Sequence, residues 1–247
     1  MAFLSPDNVR YDNGVKICEK IIPDSAVWNR DVKEGGYTYR KGTTYKANRP
    51  LSAIKGVTIH NTGRIKIPKG TTMAEQYTRA TYPNCNMGSV RVHYYVDENE
   101  AWQNLDEGEV GWHAADGNYG PGNSTTIAIE IIMDGTGAEY NRIAEDNGAR
   151  LCAAILKRHG LDENAVYQHH DWYARKDCPA YIRPHWDAFL ALVRQYLNDD
   201  AQAPSDYDKL VAELEDIKEK YRTEHASAQA LRGRILAAVE QYDTVAK

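Results

Sequence analysis

Histidine and cysteine side chains suited to metal chemistry cluster near residue 170. The segment HHDW (169–172) is followed after three residues by KDCP (176–179), which brings histidine, lysine and cysteine together within ten residues. Another histidine, His60, ends the β-branched run KGVTIH (55–60). Imidazole nitrogen and cysteine thiolate are the ligands that zinc prefers, and a catalytic zinc takes three protein ligands and leaves a fourth position for water. Two histidines and one cysteine would satisfy that count.

Cys178 also allows a different chemistry, in which its thiolate attacks a carbonyl carbon and a histidine acts as the base. Such a nucleophile often begins a helix, where the helix dipole lowers the thiol pKa. Pro179 follows directly and the next predicted helix begins near Pro184, which argues against this alternative. A zinc deaminase would need the H-x-E and P-C-x-x-C motifs, and neither occurs in the sequence.

The elements that must position these residues alternate between strands and helices along the chain. The first ~50 residues are rich in Gly, Asn, Asp, Tyr and Pro, and this composition predicts irregular structure. An α/β or α+β domain ending near Asn198 is the predicted architecture. Strands are predicted over 55–60, 89–96, 101–105, 126–132 and 166–169, and helices over 72–82, 143–159 and from Pro184 onward.

Composition and charge are those of an ordinary folded protein. Of 247 residues, 42% are hydrophobic and 26% charged. No run approaches the ~18 apolar residues of a membrane span, and no secretory signal is visible at the start of the chain. Thirty Lys+Arg against 35 Asp+Glu give a net charge of −5, which provides no general attraction for nucleic acid or anionic membranes. The four cysteines form no CxxC pair, and we expect them to be reduced.

The sequence after Asn198 predicts a separate element. Residues 199–208 are polar with alanine and one proline, which is typical of a linker. Within 209–247, apolar residues recur alternately every four and three positions, as in a coiled-coil heptad, with Glu224 as a charged interruption. One interpretation is a coiled coil that forms a homo-oligomer, and the alternative is a single helix packed against the domain.

Five blocks of sequence follow one another in an order that is typical of one family. They are VTIHNTG (57–63), VHYYVDENEAWQ (92–103), GWHAADG (111–117), TTIAIEI (125–131) and QHHDWYARKDCP (168–179). Together they resemble the zinc-dependent N-acetylmuramoyl-L-alanine amidases, the family that includes phage endolysins and peptidoglycan-recognition proteins. The resemblance covers about residues 50–197 and implies an α/β fold with a central mixed β-sheet flanked by helices, within a catalytic domain over 1–198.

The resemblance implies one zinc ion (Zn2+) per chain, held by His60, His169 and Cys178. Many relatives have one residue fewer between the second histidine and the cysteine, so His170 keeps the commoner spacing to Cys178. We expect His169, because QHHDW matches from the strand side and adjacent residues on a strand point to opposite faces. His170 is the alternative ligand.

The resemblance also implies catalytic and substrate-binding residues. Glu130 lies in a block where many bacterial members place a catalytic glutamate that transfers a proton. The alternative is a charged residue on an exposed strand face. Lys176 resembles the family lysine that stabilises the tetrahedral oxyanion, although an ordinary surface lysine is the alternative. Substrate contacts are expected for Asn61 and His113, with a structural histidine as the alternative for His113.

These resemblances predict a peptidoglycan hydrolase. It would cleave the amide between the lactyl group of N-acetylmuramic acid and the L-alanine of the stem peptide, using zinc-activated water. A phage or prophage endolysin is expected, which would remain in the host cytoplasm until it is released to the cell wall. Its partner would be peptidoglycan rather than nucleic acid or a membrane. The alternative is a non-catalytic peptidoglycan-binding module of the same fold, but such members commonly lack the cysteine found here at Cys178.

Overall fold

A computed structural model describes residues 3–198 and, in the rest of the chain, Ala228 alone. The chain divides into two units, and the first, Met1–Asp200, contains all the elements described below. The predicted linker over 199–208 and the predicted heptad helix over 209–247 therefore lie outside the described residues, apart from Ala228. Within the described part of the chain, no helix combines the length and the apolar character needed to cross a membrane.

A seven-stranded mixed sheet forms the centre of this unit, as predicted. The strands are β1 (Asn8–Asp12), β2 (Val15–Glu19), β3 (Val32–Glu34), β4 (Tyr37–Tyr39), β5 (Gly56–Thr62), β6 (Tyr94–Val96), β7 (Ala101–Gln103), β8 (Thr126–Ile132) and β9 (Val166–Gln168). The strand order is β1-β2-β7-β6-β8-β5-β9, and β3 and β4 form a separate hairpin. Parallel pairs join β5 to β8 and β9, β8 to β6, and β2 to β7, whereas β1–β2 and β6–β7 are antiparallel.

Helices cover both faces of the sheet. They are α1 (Met73–Thr81), α2 (Pro121–Thr125), α3 (Glu139–Arg158), α4 (His169–Trp172) and α5 (Trp186–Asn198). The isoleucines at 127, 129 and 131 of β8 join a large core with α3 and α5, whereas Ala128 and Ile132 join a smaller core with α1. Because side chains alternate along a strand, Glu130 belongs to the α1 side of the sheet.

The N-terminal segment is more regular than predicted. The expectation of irregular structure is wrong for β1 and β2, which extend the sheet beyond β7. Asn13 and Gly14 form the tight turn between them, both with positive φ (51° and 83°). An Asn-Gly pair is the usual signal for such a hairpin. The sequence therefore carried a local signal for this hairpin, whereas the pairing of β2 with β7 near residue 101 is a long-range contact that local patterns do not show.

Several predicted boundaries also differ from the structure. The strand predicted over 89–96 is limited to Tyr94–Val96, and α3 begins at Glu139, before the predicted residue 143. The strand predicted over 166–169 ends at Gln168, and His169 begins α4. Pro184 lies in a short 3-10 turn, and α5 begins at Trp186. Local sequence patterns locate an element better than they locate its ends.

Glu107 links the sheet to the end of α3, and its replacement by glutamine tests the stability of this junction. It accepts hydrogen bonds from Arg158 Nη2 (2.8 Å), His159 Nε2 (2.7 Å) and the Tyr94 hydroxyl (2.8 Å). Burial alone would raise the pKa of Glu107, but the hydrogen bonds and the Arg158 charge outweigh burial and lower it from 4.5 to about 2.

A lowered pKa of this kind stabilises the fold fully above the unfolded value of 4.5, and the contribution is lost as the pH falls toward 2. We expect Glu107→Gln to lower the free energy of unfolding by about 2–3 kcal/mol at pH 7. In urea titrations, the difference from the parent protein should shrink between pH 4.5 and the lowest accessible pH. A difference that does not change with pH would contradict this account.

Candidate active site

Three side chains from separate parts of the chain converge at the carboxyl end of β5. His60 Nδ1 lies 2.9 Å from His169 Nδ1 and 3.8 Å from Cys178 Sγ. One potential ligand atom from each residue falls within 4.8 Å of the others, and all three side chains are buried. The structure thus brings together the three residues that the sequence suggested as metal ligands.

Parallel strands explain why these residues meet. His60 lies near the end of β5, which pairs in parallel with β9, and α4 begins with His169 directly after β9. The carboxyl ends of adjacent parallel strands open onto the same edge of a sheet, where ligands commonly bind. Cys178 then returns to this edge through the loop that follows α4.

His170 holds that loop and does not join the cluster. Its backbone N–H donates to the Cys178 carbonyl oxygen (2.9 Å), and its Nδ1 lies 3.0 Å from the Lys176 carbonyl oxygen. His169 is 2% exposed and points into the cluster. The structure places His169 rather than His170 in the cluster, as expected, but the strand alternation on which that expectation rested does not apply. The two histidines begin a short helix and are not alternating residues of a strand.

The donor set fits a zinc ion. Tetrahedral zinc with Zn–N near 2.0 Å and Zn–S near 2.3 Å would separate its ligand atoms by about 3.3 Å for two nitrogens and about 3.6 Å for nitrogen and sulfur. The distances of 2.9 Å and 3.8 Å lie close to these values. Two imidazoles and one thiolate are also the chemical ligand types of such sites. His60, His169 and Cys178 can therefore hold a metal with small adjustments of their side chains.

Burial sets the protonation of the two histidines. It lowers the pKa of His60 well below its usual value, and the neighbouring His113 and His169 act in the same direction. Burial, followed by the Lys176 charge, lowers the pKa of His169 to about 4. Both imidazoles are therefore neutral at pH 7, the form that binds metals.

The thiol of Cys178 is poorly suited to act as a nucleophile. Burial, with a smaller contribution from Glu130, raises its pKa to about 11. A catalytic cysteine needs the opposite shift, because the thiolate is the reactive form. The structure therefore argues against the thiol-nucleophile alternative.

Glu130 lies beside the histidine cluster on the same face of the sheet. It is in register with His60 across the β5–β8 pair, it is 9% exposed, and its Oε2 is buried without a hydrogen-bond partner. Burial raises its pKa from 4.5 to about 7, and the Lys176 charge opposes this rise. The alternative of an exposed strand-face carboxylate is wrong. A carboxyl group that titrates near neutrality can both accept and donate a proton.

Lys176 is exposed and lies in the loop between α4 and Cys178. Its backbone N–H donates to the Tyr173 carbonyl oxygen (3.0 Å). The positive charge lowers the pKa of Glu130 and of His169, so its field reaches the cluster. This placement is compatible with the expected role beside a developing negative charge.

The two residues expected to contact substrate, His113 and Asn61, also have partners within the protein. His113 is 5% exposed, and its Nδ1 lies 3.1 Å from His60 Nε2. Asn61 accepts a hydrogen bond from the Tyr181 N–H (3.0 Å) and donates to the Ile131 carbonyl oxygen (3.2 Å). Both side chains therefore have partners within the protein, and their expected contact with substrate stays a prediction.

Sequence reasoning missed a second layer of residues around the site. Trp172 Nε1 donates to Thr58 Oγ1 (2.9 Å) and ties α4 to β5. Gly122 packs against the Trp172 ring so closely that an added Cβ would lie 2.7 Å from Trp172 Cγ. The sequence offers two signals here, the tryptophan that follows the histidine pair and the glycine-rich stretch near residue 120. Neither signal identifies the residue that it contacts.

Comparisons with known proteins agree on one family. Residues 50–181, which include every candidate site residue, match the family model described as N-acetylmuramoyl-L-alanine amidase (Amidase_2). The N-acetylmuramoyl-L-alanine amidase CwlH of Bacillus subtilis (strain 168) is 32% identical over 145 residues, which are 58% of this chain and 55% of CwlH. The chain spans about half the length of the curated relatives it matches.

Solved structures show the same similarity. The catalytic domain of XlyA aligns with a TM-score of 0.55 at 26% identity, over 72% of this chain and 98% of that domain. A mutant endolysin from Bacillus subtilis aligns with a TM-score of 0.53 at 27% identity, over 72% of this chain and 99% of the endolysin. The mixed sheet and its flanking helices are thus those of amidase catalytic domains.

Proposed function

Because the chain belongs to the N-acetylmuramoyl-L-alanine amidase family, we propose that it hydrolyses the amide between the lactyl group of N-acetylmuramic acid and L-alanine in peptidoglycan. One zinc ion, held by His60, His169 and Cys178, is part of this proposal. The observation that carries it is the convergence of these three buried donors within 4.8 Å. The activity named for CwlH and other curated relatives supports the same reaction.

Glu130 is the residue proposed to move the proton. When bound, zinc supplies a Lewis acid that polarises a carbonyl and lowers the pKa of water toward ~7. The Glu130 carboxylate accepts a proton from the attacking water and returns it to the leaving amine of L-alanine. A pKa of about 7 suits both steps, because neither protonation state is strongly favoured near neutral pH.

Lys176 is proposed to stabilise the charge that develops on the scissile carbonyl oxygen. Its ammonium group already influences the pKa of Glu130 and of His169, which supports electrostatic contact with the reacting region. Removing such a stabilising group typically lowers the rate by about 10²–10³. The same cation also limits the rise in the Glu130 pKa.

In its biological setting, the proposed enzyme acts on the bacterial cell wall as a phage or prophage endolysin. The similarity to an endolysin structure from Bacillus subtilis supports this assignment. A stage in the host cytoplasm before release to the wall belongs to the proposal, as does peptidoglycan as the partner. Homo-oligomerisation through 209–247 stays a prediction.

Metal analysis combined with an assay of peptidoglycan cleavage tests the proposed function. We expect about one zinc per chain, release of L-alanine amino termini from peptidoglycan, loss of that release on chelation, and recovery when zinc is added back. Zinc binding without amine release would favour the non-catalytic binding module. A protein that takes up no zinc would overturn the proposal.

A further inference from the structure

We propose that His113 is a positioning residue that holds the His60 imidazole in the tautomer and orientation needed for metal binding. This inference rests on the proposed function, because it concerns the same metal site. His113 Nδ1 lies 3.1 Å from His60 Nε2, and the two rings meet edge to face with an interplanar angle of 89°. The His113 side chain thus contacts the back of a proposed ligand, on the side away from the other two.

The two nitrogens of His60 have separate partners. Nδ1 faces His169 Nδ1 and Cys178 Sγ, so it is the nitrogen available to a metal. A neutral imidazole with a free lone pair on Nδ1 carries its proton on Nε2. His60 Nε2 then donates that proton to His113 Nδ1. Acceptance by His113 therefore selects the metal-binding tautomer of His60.

The loop around His113 is built to hold this side chain in place. Asn123 Oδ1 accepts the backbone N–H groups of His113 (2.7 Å) and Ala114 (2.8 Å), and Asn123 Nδ2 donates to the Gly117 carbonyl oxygen (3.0 Å). Asp116 Oδ2 accepts the Gly122 N–H (2.6 Å), which closes the loop onto the start of α2. These bonds fix the backbone at the residue whose ring must meet His60.

The burial of the His113 ring favours a positioning role over contact with substrate. The remaining ring nitrogen of His113, Nε2, is buried, and the residue as a whole is only 5% exposed. His93 packs beside the ring, with the two ring centroids 6.3 Å apart. A histidine that bound substrate would need an accessible polar atom, whereas one that orients a ligand needs only a fixed position.

Zinc affinity in the full chain tests the inference without relying on activity. The zinc dissociation constant is measured by competition with a chromophoric chelator, and the melting temperature of the zinc-free protein confirms folding. We expect His113→Ala to weaken zinc binding about 10–100-fold, as is typical when the partner of a metal-binding histidine is lost. We expect His113→Asn to recover most of the affinity, because its amide oxygen can accept the His60 proton in place of Nδ1.

His159→Asn is the control, since His159 lies at the end of α3 and bonds to Glu107 rather than to a proposed ligand or to His113. Its zinc affinity should stay within about threefold of the parent, a change below the range expected for a lost ligand partner. If His113→Ala does not fold, His113→Gln replaces it. Its longer side chain places the amide away from the Nδ1 position, so it should bind zinc as weakly as His113→Ala.

Two results would overturn the inference and leave the proposed function intact. In the first, the parent protein binds zinc and a folded His113→Ala variant binds it with the same affinity. The other is a His113→Asn variant no better than His113→Ala or His113→Gln, which would indicate a packing role alone. A parent protein that binds no zinc would instead remove both the inference and the proposed function.

Discussion

Replacing Cys178 with serine is expected to remove the bound metal and to lower amide hydrolysis at least ~10³-fold. Serine keeps the shape of the side chain but not the soft thiolate, and its hydroxyl does not ionise near neutral pH. His60 and His169 would remain as two ligands where a catalytic site needs three. The several kcal/mol of charge stabilisation that the metal provides would be lost with it.

Metal content and the rate of amine release from peptidoglycan check this prediction in the same samples. Cys152→Ala is the matched control, because Cys152 is also buried and free but lies in α3, within the large core. It should lose some stability and keep both zinc and activity. A Cys178→Ser protein with one zinc per chain and the parent rate would show that the ligand set is wrong.

The candidate metal ligands were accessible from sequence because their blocks resemble one family, while residue types and neighbouring elements alone suggested only that a zinc site was present. The β-branched run before His60 predicts a buried strand, and β5 ends two residues after it. Cys178 lies in a motif with paired histidines, whose residue types suggest a zinc site without any structure. The three residues then meet because the carboxyl ends of neighbouring parallel strands share one edge.

The side of the sheet occupied by Glu130 was equally predictable. Alternation along TTIAIEI places the isoleucines on one face and the glutamate on the other, and the two cores divide in this way. The depth of burial was not predictable from the strand alone. It depends on α1 and on neighbouring strands, which the local pattern does not specify.

The supporting residues could not be predicted, because their roles depend on single contacts between distant segments. His113 meets His60 across 53 positions, and Trp172 meets Thr58 across 114. Asn61 directly follows the proposed ligand His60, yet its amide oxygen accepts a hydrogen bond from the backbone N–H of Tyr181. The pairing of β2 with β7 is another long-range contact of this kind, whereas the β1–β2 hairpin carried a local signal in Asn13-Gly14 that was not used.

Glu130→Gln is expected to keep zinc and the fold while lowering the rate of amide hydrolysis at least ~10²-fold, the usual contribution of a general acid–base group. Glutamine has nearly the shape of glutamate, but it cannot accept a proton from water or deliver one to the leaving amine. Glu130 Oε2 is buried without a hydrogen-bond partner, so a neutral amide at this position does not create an unpaired charge. The zinc-free variant should therefore melt no earlier than the parent protein.

The comparison with Glu75→Gln isolates this chemical role. Glu75 is also a buried carboxyl on the α1 side of the sheet, but it accepts the Leu4 N–H rather than facing the histidine cluster. Its variant should retain the parent rate within about threefold, well short of the loss of an acid–base group. If Glu130→Gln keeps the parent rate, proton transfer belongs to another residue. If it loses zinc, Glu130 acts through the metal site, since a proton carrier alone is not needed for metal binding.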